Sequence, residues 1–373
     1  MSRYQSYKNS LDHLHKTGGF RSIHNPIPDN MTNLCSNDYL GLQHDNELYE
    51  EFSKELSSAK YRFTAASSRL LSGNSDEYTA LETYLKNLYS TESALVFNSG
   101  YHINAGVLPA LTGKHDLIIA DKYVHASIID GLKLSSTDYI RYRHLDYEHL
   151  EKILQDKAHT YASVFIVTES IFSMDGDCAD LPKIVALKKK YNAFLYVDEA
   201  HALGIRGEKG LGLAEEQDCI ADCDFIVGTF GKAIASVGAF VVCNTLFASH
   251  IINHARTFIY TTALPPINLA WTLFIMKKIP LFTDKRAHLQ NLQELFIEQT
   301  NLTADTHIIP YILGSNEHAI RYAKNLQNNG IYALPVRYPT VPRNKARIRF
   351  SLHAGLSKTD IIRITDILQL DEI

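Results

Sequence analysis

Phe194-Leu195-Tyr196-Val197-Asp198-Glu199-Ala200-His201 is an apolar run of strand length that stops on two acids and an imidazole. Downstream, Phe225-Ile226-Val227-Gly228 is a second such run, followed at once by Thr229-Phe230-Gly231-Lys232. Working outward, residues 94–97, 117–120, 164–168 and 239–243 have the same texture, most of them rich in Val, Ile and Phe. Continuous apolar runs of this length suit strands buried on both faces. Their alternation with helical periods between about residues 75 and 245 predicts an α/β domain, a mainly parallel central sheet sandwiched by helices. One helix is expected from the cap-like pair Asn74 and Glu77, with Tyr78, Leu81, Leu85 and Leu88 on one stripe. Another is expected over 181–191, with Lys188 to Lys190 near its C-terminal end.

Beyond this block the texture changes. Pro265-Pro266 interrupts, a helical pattern runs over 268–278, and Pro280 marks a boundary. The remainder reads as a smaller α+β domain. It closes on 357–370, where Ser357 and Asp360 form a capping box and Ile361, Ile364 and Leu368 the buried stripe. The expected division is an N-terminal arm over 1–45, polar and with little periodicity, a large domain over 46–278 and a C-terminal domain over 279–373.

The chain has 373 residues, 45% hydrophobic and 21% charged, beyond the roughly 250 to 300 residues at which single cores stop growing. Lys+Arg 37 against Asp+Glu 41 leaves a formal charge of −4, so no polybasic footprint points to nucleic acid or to an anionic membrane. The five cysteines (Cys35, Cys178, Cys219, Cys223, Cys243) include no C-x-x-C pair, which argues against a disulfide framework or a zinc site and for a reducing, cytoplasmic setting. Cys219 and Cys223 read as an i,i+4 pair on one helix face. No stretch has the apolar length that crosses a bilayer.

Lys232 follows a core strand directly, at the C-terminal edge where open α/β sheets place ligands. A lone G-K dipeptide equally describes a solvated loop lysine, and the P-loop pattern is absent. Asp198 ends the preceding strand, one strand-to-strand excursion upstream, so acid and amine share a rim. A structural ion pair would account for the two alone. A dry cleft holding both is also what a pyridoxal phosphate enzyme needs, the lysine as Schiff base and the aspartate as partner of the pyridinium nitrogen. Asn98-Ser99-Gly100-Tyr101 follows a short strand and opens a helix, so its backbone N–H groups could hold a phosphate. His125 follows another strand, where its ring could stack on the pyridine. No metal is expected, since no H-E-x-x-H or comparable spacing occurs.

Longer phrases carry a family resemblance. They are Cys35-Ser36-Asn37-Asp38-Tyr39-Leu40-Gly41-Leu42, Ser68-Arg69-Leu70-Leu71-Ser72-Gly73-Asn74, Thr168-Glu169-Ser170-Ile171-Phe172-Ser173-Met174-Asp175-Gly176-Asp177, Tyr260-Thr261-Thr262-Ala263-Leu264-Pro265-Pro266 and Tyr338-Pro339-Thr340-Val341-Pro342. With the Asp198 and Lys232 segments they resemble, over nearly the whole chain, the α-oxoamine synthase family of fold-type I pyridoxal phosphate enzymes. The resemblance implies that Lys232 bears the cofactor, Asp198 pairs with its ring nitrogen and His125 stacks on the ring. His201 and Ser173 are implied near its phenolic oxygen, and Ser99, Gly100, Tyr101 and Thr229 near its phosphate. Thr261 and Thr262 match a segment that reaches the phosphate of a neighbouring subunit, which implies a homodimer. Arg347 and Arg349 are expected on opposite faces of a strand, with Arg349 binding an amino acid carboxylate. Arg337 and Arg21 are implied at the acyl end.

The implied reaction is a decarboxylating condensation of an amino acid, L-alanine, with an acyl thioester, pimeloyl-CoA or its carrier-protein equivalent. Glycine C-acetyltransferase or another amino acid/acyl-CoA pair is the alternative within the family. Two segments depart from the family pattern by having few glycines: Phe63-Thr64-Ala65-Ala66-Ser67 and Ala233-Ile234-Ala235-Ser236-Val237-Gly238.

Overall fold

The computed structural model describes residues 3–58 and 62–370. They form two compact units, the larger from the described residues of 40–172 and 178–286, the smaller from those of 3–39, 173–177 and 287–370. The N-terminal stretch is therefore part of the smaller unit, and the boundary at 286/287 lies inside the helix Thr283–Thr300. The first forty residues are also less irregular than their polarity suggests. Gln5–Lys16 is a helix with no buried residue; its apolar stripe, Tyr7, Leu11 and Leu14, is short and set among polar residues, with Tyr7 and Leu11 exposed.

The larger unit is built on seven strands: β1 (Ser93–Phe97), β2 (Asp116–Asp121), β3 (Asp138–Tyr142), β4 (Ser163–Glu169), β5 (Phe194–Asp198), β6 (Phe225–Thr229) and β7 (Ala239–Cys243). Their order across the sheet is β1-β7-β6-β5-β4-β2-β3, with β7 antiparallel to both neighbours and the other pairings parallel. All strands except β7 thus end on one rim, which collects the segments after Phe97, Asp121, Glu169, Asp198 and Thr229. The β4–β5 register sets Glu169 directly opposite Asp198. Only β3 escaped the sequence reading. It is one of the two edge strands and, unlike β1 at the other edge, exposes Asp138, Tyr139 and Arg141, and these charges erase the apolar signal.

The helix after the arginine-bearing turn Arg69–Gly73 is Asp76–Leu88; Ser75, not Asn74, holds its N-cap position, without a side-chain capping hydrogen bond. Its buried stripe is Tyr78, Leu81 and Leu85 and continues to Tyr89, while Leu88 is half-buried. Helix Leu181–Tyr191 starts at Asp180, whose side chain accepts the Lys183 N–H, and ends at left-handed Asn192. Cys219 and Cys223 do not share a helix face, because they flank the short 3-10 turn Ile220–Asp222.

In the smaller unit, β8 (Ile308–Gly314), β9 (Pro335–Val336) and β10 (Ala346–Ser351) form an antiparallel sheet in the order β9-β10-β8. Thr32–Asn33 pairs in parallel with Ile331–Tyr332. The capping box of the last helix, Lys358–Leu370, is formed: the Ser357 N–H reaches Asp360 Oδ2 at 2.9 Å, and the Asp360 N–H reaches Ser357 Oγ at 3.1 Å.

In the larger unit, helices Gly100–Leu111 and Ala126–Leu134 pack so closely that a Cβ on Gly131 would overlap the Asn104 carbonyl oxygen. A backbone atom cannot turn aside as a side chain can. Gly131→Ala is expected to destabilise the protein by about 1–3 kcal/mol, despite the better helix propensity of alanine. Urea denaturation checks this; an unchanged midpoint would contradict backbone-distance packing of the two helices.

Candidate active site

Lys232 emerges from a closed loop between β6 and β7. Phe230 N–H donates to the Gly238 carbonyl (2.9 Å), Ser236 N–H to the Phe230 carbonyl (2.9 Å) and Ala235 N–H to the Lys232 carbonyl (2.9 Å). Ala235 holds φ 47 within this loop, and Ala66 holds φ 53 in the other glycine-poor segment. Both are left-handed positions that glycine would occupy at lower cost. The loop brings the Lys232 amine to 2.8 Å from His201 Nε2, and His201 is buried at the end of β5.

Asp198 is 5% exposed. Its Oδ1 accepts the Ala200 N–H at 2.9 Å and its Oδ2 accepts Asn104 Nδ2 at 2.7 Å. On the same rim His125 caps helix Ala126–Leu134, its Nδ1 accepting the Ser127 N–H, while part of the residue stays open to solvent. Lys232, Asp198, His201 and His125 are thus gathered on one edge of the larger unit by parallel strands alone.

At the start of helix Gly100–Leu111, Ser99 is the N-cap, and its hydroxyl is engaged with His102 through the backbone N–H and Nδ1. Gly100 faces β6: a Cβ there would stand 3.7 Å from Thr229. Thr229 Oγ1 lies 3.2 Å from the Gly238 carbonyl and accepts the Gly231 N–H, so its hydrogen is engaged inside the loop. Tyr101 is exposed and its hydroxyl donates to Asp130 Oδ2 at 2.8 Å. Thr261 and Thr262 lie beside Asn98, whose amide donates to Thr261 Oγ1 (3.2 Å) and the Thr262 carbonyl (2.7 Å).

The remaining candidates belong to the smaller unit. Arg347 and Arg349 share a face of β10, as residues two apart on a strand must, which corrects the expectation of opposite faces. What separates them is their partners. Arg347 is buried and paired with Asp175 at 2.6 Å, with a further bond to the Met174 carbonyl. Arg349 meets only neutral acceptors: the Ser173 carbonyl (2.5 Å), Ser351 Oγ (2.7 Å), Tyr39 OH (3.1 Å) and Asn37 Oδ1 (3.2 Å). No carboxylate is paired with it among the described residues. Arg337 donates to the Gly18 and Phe20 carbonyls and Arg21 to Thr340 Oγ1. Both line a cavity of about 740 Å³, and partial burial together with Arg21 lowers the Arg337 pKa.

Sequence reasoning did not single out the acids around Asp198. Glu169 is 2% exposed, and one of its carboxyl oxygens has no hydrogen-bond partner among the described residues. Burial first, and the Asp198 charge second, push its pKa well above the carboxylate range. Glu199 is fully buried; it accepts the Leu213 and Ala214 N–H groups (3.0 and 2.7 Å) and the Ser170 hydroxyl (2.5 Å). Burial raises it to about 7. Asn104, Ser127, Tyr196, Asn37 and Tyr39 were also unassigned; nothing in their spacing marks them, because their partners are distant in sequence.

A buried acid, a lysine amine beside an imidazole, a second imidazole and a helix N-terminus on one rim form a donor set that fits pyridoxal phosphate. They define a pyridoxal phosphate enzyme on a wound α/β sheet. The model of the family described as aminotransferase class I and II matches residues 29–368. A Glaesserella parasuis serovar 5 protein provisionally named 8-amino-7-oxononanoate synthase is 51% identical over 345 residues, 91% of this chain and 90% of that one. One of the same provisional name from Neisseria meningitidis is 48% identical over 372 residues, 96% and 98% of the two chains. Among solved structures, serine palmitoyltransferase of Sphingomonas wittichii superposes with a TM-score of 0.88 at 31% identity, covering 99% of this chain and 97% of that one. An 8-amino-7-oxononanoate synthase from Francisella tularensis does so with a TM-score of 0.77 at 31% identity, covering 93% and 100%. The chain belongs to the aminotransferase class I and II family and, within it, to the α-oxoamine synthases; it is a pyridoxal phosphate-dependent acyltransferase.

Because the folded-state pKa of Glu199 lies above its unfolded value of 4.5, folding holds that proton more tightly. The stability it confers is complete below the unfolded pKa and is lost as pH rises through about 7. Glu199→Gln, which does not titrate there, is expected to remove roughly 2 kcal/mol of the fall in unfolding free energy between about pH 5 and 8. Urea denaturation across that range measures it, and parallel pH slopes for the two proteins would show that Glu199 stays ionised.

Proposed function

We propose that this chain condenses L-alanine with a pimeloyl thioester, carried on CoA or a carrier protein, to give 8-amino-7-oxononanoate, the free thiol and carbon dioxide, a step of biotin synthesis. The observation that carries the reading is the 47–51% identity, over nearly the whole chain, to relatives provisionally named for that synthesis.

When bound, the cofactor supplies an electron sink for the amino acid Cα. The protein residues do the rest. Lys232 would anchor the cofactor and, as a free amine, would serve as the base that takes and returns the Cα proton. Asp198 keeps the ring nitrogen protonated, His125 covers the ring face, and His201 and Ser173 serve the phenolic oxygen. Gly100 and Tyr101 offer first-turn N–H groups to the phosphate, with Ser99 and Thr229 shaping the cradle. Arg349 binds the alanine carboxylate, the planar acceptor for which its uncompensated guanidinium is suited. Arg21 and Arg337 take the acyl end. Carbon–carbon bond formation at the thioester carbonyl expels the thiol, and the resulting β-keto acid loses carbon dioxide. The enzyme works as a cytoplasmic homodimer, Thr261 and Thr262 reaching the partner's phosphate site; exposed Leu70, Leu71 and Tyr260 around a cavity of about 550 Å³ support a second copy there.

A second reading, another amino acid and thioester on the same residues, is favoured by the higher TM-score of the serine palmitoyltransferase. Steady-state assays of alanine, glycine and serine against pimeloyl, acetyl and palmitoyl thioesters separate the two. Turnover is expected with alanine plus the pimeloyl thioester, and none with that pair would overturn the first reading. Lys232→Ala is expected to lose both turnover and the visible absorption of the lysine-bound cofactor; retention of both would refute the cofactor assignment. Arg349→Ala is expected to raise the KM for the amino acid roughly 10- to 100-fold, the loss of a charged hydrogen-bonded contact, while a KM unchanged from wild type would remove Arg349 from the carboxylate site.

A further inference from the structure

We propose that Asn104, Tyr196 and Ser127 form a buried hydrogen-bond relay that fixes His125 as the neutral imidazole with its proton on Nε2, and that holds Asp198 through the same amide. All three are positioning residues. Asn104 and Ser127 are each 1% exposed and Tyr196 is fully buried, so water cannot substitute for a missing partner.

The direction of each bond follows from its neighbour. Both Asp198 oxygens act as acceptors, so the group facing Oδ2 at 2.7 Å is the Asn104 amide nitrogen. Asn104 Oδ1 is left to accept the Tyr196 hydroxyl at 2.7 Å. The amide nitrogen also donates to Ser127 Oγ at 3.0 Å. Because the Ser127 N–H needs the Nδ1 lone pair of His125, Ser127 Oγ, 2.7 Å from the same nitrogen, is the donor toward it. The Ser127 N–H points at the same nitrogen from 3.2 Å. Two donors converge on Nδ1, which has a single lone pair and no room for a proton. The ring proton therefore resides on Nε2.

The charges around the ring are consistent with a neutral form. Partial burial is the largest influence and lowers the His125 pKa; Lys232 lowers it further, while Asp198 and Asp130 oppose. Glu169, a further buried acid of this rim, is itself raised toward its neutral state by burial first and by the Asp198 charge second. The consequence for catalysis rests on the proposed placement of the His125 ring against the cofactor: a neutral imidazole can cover a protonated pyridine, whereas an imidazolium would repel it. One amide, Asn104, thus sets both the acid and the stacking ring.

The test is long-range proton–nitrogen NMR on the full chain with 15N-labelled histidine, without and with pyridoxal phosphate, the His125 signals being identified by their loss in His125→Asn. Near pH 7 His125 is expected to show an acceptor Nδ1 and a proton-bearing Nε2 in both forms. A proton on Nδ1 would overturn the relay. Ser127→Ala is expected to mix the tautomers and to move the pH midpoint of the lysine-bound cofactor's absorption by about one unit, a tenfold change in equilibrium; Ser127→Thr, which keeps the hydroxyl, should restore both. Wild-type tautomer in Ser127→Ala would also overturn the relay. A mixed tautomer with an unmoved absorption midpoint would instead overturn the placement of His125 on the cofactor.

Discussion

A carboxylate buried at the end of a parallel strand has to be held by donors, and Asp198 takes its donors from two places: the backbone of its own turn at Ala200 and the amide of Asn104 on helix Gly100–Leu111. That second bond constrains much around it. It requires the helix to approach β5 closely, and the same helix carries the Gly100 N-terminus. It requires helix Ala126–Leu134 to bring Ser127 to the same amide, and Gly131 is what lets the two helices meet. The hydrogen bonds that satisfy one acid therefore also position the residues assigned to the phosphate and to the ring face.

The acids beside Asp198 show why this arrangement suits a cationic ring. Glu169 stands opposite Asp198 in the register, and Glu199 follows it in sequence. Buried carboxyls this close cannot all carry charge. Glu169 is driven toward its neutral form, and Glu199 is caged by two backbone N–H groups and the Ser170 hydroxyl. In the smaller unit the same principle distinguishes two arginines on one face of β10. Arg347 is neutralised by Asp175 and has a structural role, binding the turn at 174–175. Arg349 is surrounded by neutral oxygens and keeps its charge available for an anion.

Much of the scaffold was legible because the strands that matter are buried on both faces and read as unbroken apolar runs. Lys232, Asp198, His201 and His125 were legible because each sits directly after such a run. The edge strand Asp138–Tyr142, with its exposed charges, and the helix Gln5–Lys16, whose short apolar stripe of Tyr7, Leu11 and Leu14 is diluted by polar residues, did not stand out. Asn74 resembled a cap but lost the position to Ser75, one residue closer to the helix. Local pattern cannot resolve such shifts, because several polar residues before a helix satisfy the same rule.

By itself the sequence determined the alternating strands and helices, the strand-end placement of the lysine, acid and imidazoles, and the long phrases that tie the chain to its family. These are properties of short segments, set by burial period and by the residue that follows each run. Tertiary structure alone decided which arginine lacks a counter-charge, where the hydroxyls of Ser99 and Thr229 are directed, and that Asn104, Ser127 and Tyr196 converge on Asp198 and His125. The reason is physical: a hydrogen bond or a desolvated charge depends on atoms within about 3 Å, and residues distant in the chain become neighbours at that range only through the fold.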